Sequence, residues 1–102
     1  MSRIKSTTQI TSKTTAVTIN AFNGRITTVA LTDAADTAFD FTVNNTKVRA
    51  ISNIQLTPVY SGSTGTPIVR VVSQTDGSFV VRVTNAGTAV LNDVLTINFG
   101  VI

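Results

Sequence analysis

The sequence predicts an all-β domain: an antiparallel β-sandwich or jelly-roll-like barrel of about eight short strands with an extended N-terminal arm. Three observations predict it. Thr, Val and Ile fill 42 of the 102 residues, and branching at Cβ crowds a helix while packing well on a pleated surface. Apolar and polar residues alternate with a period of two in several segments, as in half-buried strands. Pairs such as Asn-Gly and Asp-Gly, with other Gly, Asn and Pro clusters, punctuate those segments at the 8–12-residue spacing of such folds.

The elements follow in order. Residues 1–14 are polar and rich in Ser and Thr, with Ile4 and Ile10 as the large apolar residues after Met1, and read as an extended arm, loose in the monomer and ordered by a neighbour, preceding a single domain over 15–102. Ala16 to Ile19 alternates, and Asn23-Gly24 suits a tight hairpin turn, which makes 21–24 a hairpin tip before a strand over Arg25–Val29. Asp33 to Asp36 reads as a loop or a single helical turn. Phe39, Phe41 and Val43 share one face of the next strand, and Asn44-Asn45 ends it. The strand within Val48–Tyr60 contains Pro58, which cannot donate to a ladder and so belongs on an edge. Ser61 to Pro67 is the longest breaker cluster and reads as an exposed loop.

The second half continues the pattern. Ile68–Val72 is a strand, Asp76-Gly77 a turn, and Phe79, Val81 and Val83 one face of another strand. Asn85-Ala86-Gly87 turns again, Ala89–Leu91 reads as a short strand, and Leu95, Ile97, Phe99 and Val101 alternate in the last. A terminus as apolar as Val101-Ile102 is expected to pair in a sheet, so truncating it should damage the fold. With turns of hairpin type and no helical crossover, parallel βαβ folds are set aside. Exposed strand edges call for cover, and a symmetric homo-oligomer, a trimer by preference, supplies it.

Composition narrows the function. His, Cys, Glu and Trp are absent, and His and Cys are the side chains most readily poised near neutral pH for proton transfer, nucleophilic attack or metal binding. Charged residues are only 13% of the chain, against roughly a quarter in ordinary soluble domains. So little charge suggests a surface covered in part by copies of the chain or by another protein. The net charge is +3, but the basic residues are scattered and lack the clustering and stacking aromatics of a nucleic-acid surface. No window approaches the ~18 apolar residues of a membrane span, and the N-terminus has no signal-peptide core. The expectation is a non-enzyme with no cofactor, no metal, no nucleic-acid partner and no membrane.

Each candidate site of chemistry has a simpler role open to it. Asp36 and Asp40 could face each other as a glycosidase pair does, and Asp33 with Asp36 could contribute to a calcium site, but turn and solvent-face roles account for every Asp. A serine nucleophile has no His beside it, which leaves only a Ser–Lys pair without a motif. Ranks of Thr suited to ice would need an internal repeat that is lacking. Four Phe (Phe39, Phe41, Phe79 and Phe99) fall on alternating strand faces and read as core. Phe22 and Tyr60 remain as exposed rings for a partner or a sugar, each with loop anchor as the simpler role, while Arg3, Lys5 and Lys13 make the arm basic, suited to an acidic protein surface.

The segments Gln9–Asn20, Gly24–Thr28, Phe41–Asn45, Gly77–Asn85 and Ala89–Ile102 together resemble a group of small β-rich structural proteins of tailed bacteriophages and prophages, which also occur as modules of larger phage proteins. The likeness covers most of the chain and is a pattern of strands and turns, with no site residues to carry over. It implies a virion component made in the host cytoplasm. The reading it favours is a capsid decoration or cement protein that binds the major capsid protein, or another virion protein, as a symmetric oligomer. The alternative is a tail fibre, spike or other tail-associated part that contacts host carbohydrate. Partner contacts are expected at Arg3, Lys5, Lys13, Phe22 and Tyr60, the basic arm suiting a capsid subunit and the two rings a sugar, and deleting residues 1–14 should weaken attachment while leaving folding intact.

Overall fold

The computed structural model describes residues 5–102, so Arg3 lies outside the described residues. The chain is all-β, with no helix among those residues. Its strands are β1 (Lys5–Thr8), β2 (Val17–Thr18), β3 (Asn23–Thr27), β4 (Ala38–Asn44), β5 (Ile54–Tyr60), β6 (Pro67–Thr75), β7 (Ser78–Asn85) and β8 (Leu95–Val101). They form two four-stranded sheets, in the orders β1-β3-β8-β5 and β2-β4-β7-β6.

The path of the chain explains the pairings. Each connection from β1 through β6 carries the chain to the other sheet, and successive strands run in opposite directions. Strands two apart in sequence therefore run the same way. β1 pairs with β3 in parallel, and β2 pairs with β4 in parallel. Parallel neighbours need a long crossover, usually a helix. Here a strand of the opposite sheet serves as that crossover. The other pairings are antiparallel, and the one tight hairpin joins β6 to β7 at Asp76-Gly77, where Gly77 has φ +92°.

Alternation builds the core. β7 buries Phe79, Val81 and Val83, β4 buries Phe39, Phe41 and Val43, and β8 buries Leu95, Ile97 and Phe99. All four Phe of the expected core are among them. Phe79 and Phe99 meet edge to face across the two sheets, with ring centroids 6.0 Å apart. Each such side chain, fully buried, contributes about 1.5–3 kcal/mol relative to exposure. Pro58 sits on β5, an edge strand, as its missing N–H requires.

Four expectations change. The sheets are not wholly antiparallel: β1–β3 and β2–β4 are parallel pairs, and among the described residues β6–β7 is the one pair of successive strands that share a sheet. Asn23-Gly24 is not a hairpin tip: the pair opens β3, and β2 and β3 lie in different sheets. Gly24 has no positive φ. It is small because a Cβ there would lie 2.8 Å from both Ile19 Cδ1 and the Phe99 ring. Ala89–Leu91 is not a strand, because residues 86–94 are irregular. The Asn85 side chain accepts from Gly87 N (3.1 Å) and donates to Ala89 O (2.8 Å), taking groups that a ladder would use. Lastly, residues 5–14 are extended at first but not loose. β1 is an edge strand, Gln9 N donates to Thr27 O (2.9 Å), and the buried Gln9 side chain donates to Lys13 O (2.8 Å) and Thr15 O (3.1 Å).

Two predictions follow from this packing. Gly24→Ala should lower stability by about 1–3 kcal/mol through overpacking, whereas Gly100→Ala, where a Cβ meets nothing within 4 Å, should be neutral or stabilising; denaturant melts of both variants check this. Deleting residues 1–14 should lower the melting temperature, because it strips β1 and the Gln9 bonds from the fold, and an unchanged melt would show that these contacts contribute nothing.

Candidate functional site

Where strands end, backbone N–H and C=O groups lose their ladder partners and must find others. At one end of the molecule the chain passes from β2 to β3 through Asn20–Phe22 and from β4 to β5 through residues 45–53. The buried Asn45 brackets Ala21, donating to its carbonyl (2.7 Å) and accepting from its N–H (3.2 Å), and also accepts from Lys47 N (3.0 Å). Phe22 O accepts from Val101 N (2.6 Å). The Phe22 backbone is thus fixed while its ring stays 60% exposed, with Lys47 Nζ 5.5 Å from its centroid.

The turn that follows is equally tied. Arg49 N donates to Ser52 Oγ (2.9 Å), Ser52 N donates to Arg49 O (3.0 Å), and Ala50 N donates to Asp76 Oδ1 (2.9 Å). Gln74 Nε2 reaches Arg49 O (3.1 Å) and Ser52 O (2.8 Å). Ile51, at the tip, is 95% exposed on this braced turn. Phe22, Thr46, Lys47, Arg49, Ser52, Val101 and Ile102 line a concavity of about 440 Å³. Lys47 and Arg49 form no salt bridge among the described residues. The hollow is cationic and partly apolar, and the Ser52 hydroxyl in its lining accepts from Arg49 N.

The expected contact residues part ways here. Phe22 lies in the hollow. Lys5 is exposed at the same end, its ammonium donating to Asn20 O (3.1 Å). Lys13 is at the opposite end and is committed internally: its Nζ lies 2.7 Å from Asp33 Oδ2 and 5.1 Å from the Phe39 ring centroid. Tyr60 is also at that end and is a loop anchor, not an open ring. Its hydroxyl donates to Thr64 O (2.7 Å) and accepts from Asn92 N (2.6 Å). Lys47, Arg49, Ile51 and Ile102, which the sequence reading did not single out, complete the site. The signal for three of them was thin: Lys47-Val-Arg-Ala-Ile51 alternates like the start of a strand, and nothing local shows that it forms a turn carrying two cations and an isoleucine.

The acids are spoken for or dispersed. Asp33 is buried, with Oδ2 on Lys13 and no partner for Oδ1. Asp36 is exposed at φ 62°. Asp40 takes a bidentate pair from Arg82 across paired strands (2.8 and 3.0 Å). The Arg82 hydrogen bond holds the Asp40 carboxyl below its usual range, with burial opposing and Arg70 assisting. The small stability this gives is therefore present at neutral pH and lost as pH falls through the lowered value. No group of three or more His, Cys, Asp or Glu is placed to hold a metal among the described residues.

The Lys13–Asp33 pair yields a test. Lys13→Met should cost about 2 kcal/mol or more by leaving a buried carboxylate unpaired. The double change Lys13→Met with Asp33→Asn should cost less than Lys13→Met alone, and a double-mutant cycle from denaturant melts measures the difference.

No protein-family model matches the chain, and searches among curated proteins and among solved structures found no match.

Proposed function

We propose that this chain is a non-enzymatic structural protein of a bacteriophage virion: a capsid decoration or cement protein, its two sheets forming a β-sandwich, that binds the outer shell as a symmetric oligomer and stabilises it. The observation that carries the reading is the Phe22 end. A half-exposed aromatic ring and two outward isoleucines are held rigidly beside unpaired cations, on a chain with little surface charge. With the backbone that carries them already fixed, covering these side chains costs only their own rotamer freedom, which suits the end to docking.

The mechanism is adhesion without chemistry. An oligomer that presents several identical ends to a repeating lattice gains through effective concentration what each contact lacks alone. Because it binds only assembled shell, it shifts the assembly equilibrium toward the shell. Lys5 and Phe22 keep their expected partner-facing role, joined by Lys47 and Arg49. The rival reading, a tail-associated part that contacts host carbohydrate, loses one of its two rings, since the Tyr60 hydroxyl is spent on its own loop.

Copy number in purified particles tests this. Hundreds of copies per particle, counted by quantitative mass spectrometry, are expected; a handful would move the chain to the tail, and absence would end the proposal. Phe22→Ala with Lys47→Ala should weaken attachment about tenfold or more at an unchanged melting temperature.

A further inference from the structure

Charge is scarce on this chain, yet three charged residues stand in one row across the outward face of the β2-β4-β7-β6 sheet. Asp40 on β4, Arg82 on β7 and Arg70 on β6 are register partners, in that order. Arg82 is spent on Asp40, which it binds through two hydrogen bonds (2.8 and 3.0 Å). Arg70 is exposed and forms no salt bridge among the described residues. It stands directly opposite Arg82, and like charges so placed destabilise a sheet. A single copy thus sets cation beside cation, with the carboxylate on the far side.

The rows on either side are uncharged. One holds Ala38, Thr84 and Ile68, and Ile68 is 51% exposed. The other holds Thr42, Val80 and Ser73. Val80 is half-buried at the middle of the face and points away from the core that Phe79 and Val81 enter. The outward face of the β1-β3-β8-β5 sheet differs. There Thr27, Thr57, Thr96 and Asn98 surround one cation, Arg25, which donates to Asn98 Oδ1 (3.0 Å).

We infer that the outward face of the β2-β4-β7-β6 sheet packs against the same face of a second copy, about a two-fold axis that runs along β7. Charge selects that axis. Two copies of one face can meet about an axis along the strands or across them. An axis across the strands sets Asp40 over Asp40 and Arg70 over Arg70. An axis along β7 sets Asp40 of each copy over Arg70 of the other, so each carboxylate lies between two guanidiniums. Val80 meets Val80 of the second copy, and Ala38 meets Ile68. Arg82 also lies on the axis, but its bonds to Asp40 draw the guanidinium sideways. Thr42, Ser73, Ser78 and Thr84 are small enough for aligned sheets to approach to the usual spacing of about 10 Å. The contact is isologous and closes at two copies. A pair, and not the trimer expected from strand edges, is the oligomer this face makes. The inference rests on the proposed function for the use of that pair. An axis along the strands turns both Phe22 ends to the same side, free for one shell, where two linked ends gain by effective concentration.

Sedimentation velocity of the purified protein tests the interface. The native chain should form a dimer that does not grow further with concentration. Raising salt from about 0.05 M to about 0.5 M should weaken it about tenfold, as exposed charges are screened. Arg70→Asp should weaken it about a hundredfold or more, because carboxylates then face each other between the copies. The introduced carboxylate can still pair with Arg82, so the fold is kept. Adding Asp40→Arg to that variant exchanges the two ends of the row and should restore the dimer, with Arg82 then served from β6. Val80→Asp should give a monomer, and Thr57→Asp on the opposite face should leave the dimer intact. Circular dichroism confirms that each variant folds. A native monomer at low salt, a dimer indifferent to Arg70→Asp, or a double variant that stays monomeric would each overturn the inference. So would a native monomer that loses attachment to particles on Arg70→Asp, which gives this face to the shell. If the dimer fails while particles carry hundreds of copies, the interface is wrong and the proposed function stands. A dimer of chains absent from particles keeps the interface and ends that function.

Discussion

The constraint on which the structure depends is the satisfaction of backbone groups where the strands stop. A two-sheet fold whose chain changes sheet at nearly every turn cannot close its ends with short hairpins, so long connections must bring their own partners. Side-chain amides provide them. Asn45 brackets Ala21, Asn85 binds the backbone of Asp33, Thr66, Gly87 and Ala89, and Asn92 holds Ser63 and Thr64. Gln9 and Gln74 do the same for their own neighbours. An amide is suited to this because it donates and accepts at once without carrying a charge. Asn45 and Asn85 are each 1% exposed, and leaving such groups unmet would cost about 1–3 kcal/mol apiece. In a chain without cysteine, these amides take the place that cross-links hold in other small domains.

The same economy shapes the candidate site. Because the loops at the Phe22 end are braced from within by Asn45, Gln74 and Asp76, their outward side chains have no structural duty. Phe22, Ile51 and Lys47 are therefore available to a partner. At the other end the bracing consumes the conspicuous residues themselves, Tyr60 and Lys13, and what remains outward is acidic and aliphatic. Two ends built by one rule thus present opposite chemistry.

Strand periodicity was legible in the sequence for three central strands. β4, β7 and β8 alternate cleanly, their buried residues are those the pattern marks, and Pro58 marks an edge. What could not be read was which strands are neighbours. Asn23-Gly24 has the composition of a turn but is used for room beside Ile19 and Phe99, and no local pattern distinguishes those uses. β1 is the short edge strand Lys5-Ser-Thr-Thr8, without a large apolar residue to mark it, so it resembled a loose arm. Ala89–Leu91 looked like a strand because β-branched and aliphatic residues suit one, yet the Asn85 side chain claims its backbone. Of the site, Phe22 was visible as an exposed ring and Lys5 as a cation. The internal partners of Lys13 and Tyr60, Asp33 and Asn92, are distant in sequence and leave no local trace.

The solitary hairpin between β6 and β7 has a consequence for how the chain reaches this state. Apart from that pair, strands that hydrogen-bond are separated by at least one other strand in sequence. Closing those separations is an entropic expense met before any contact rewards it, and chains of this kind acquire their structure slowly. The Asp76-Gly77 turn is then the natural starting point, with β4 laid against β7 later. Until that happens the unpaired borders of each ribbon stand open to neighbouring chains, so a nascent copy is most vulnerable to misassociation during the interval in which its own distant strands have yet to arrive.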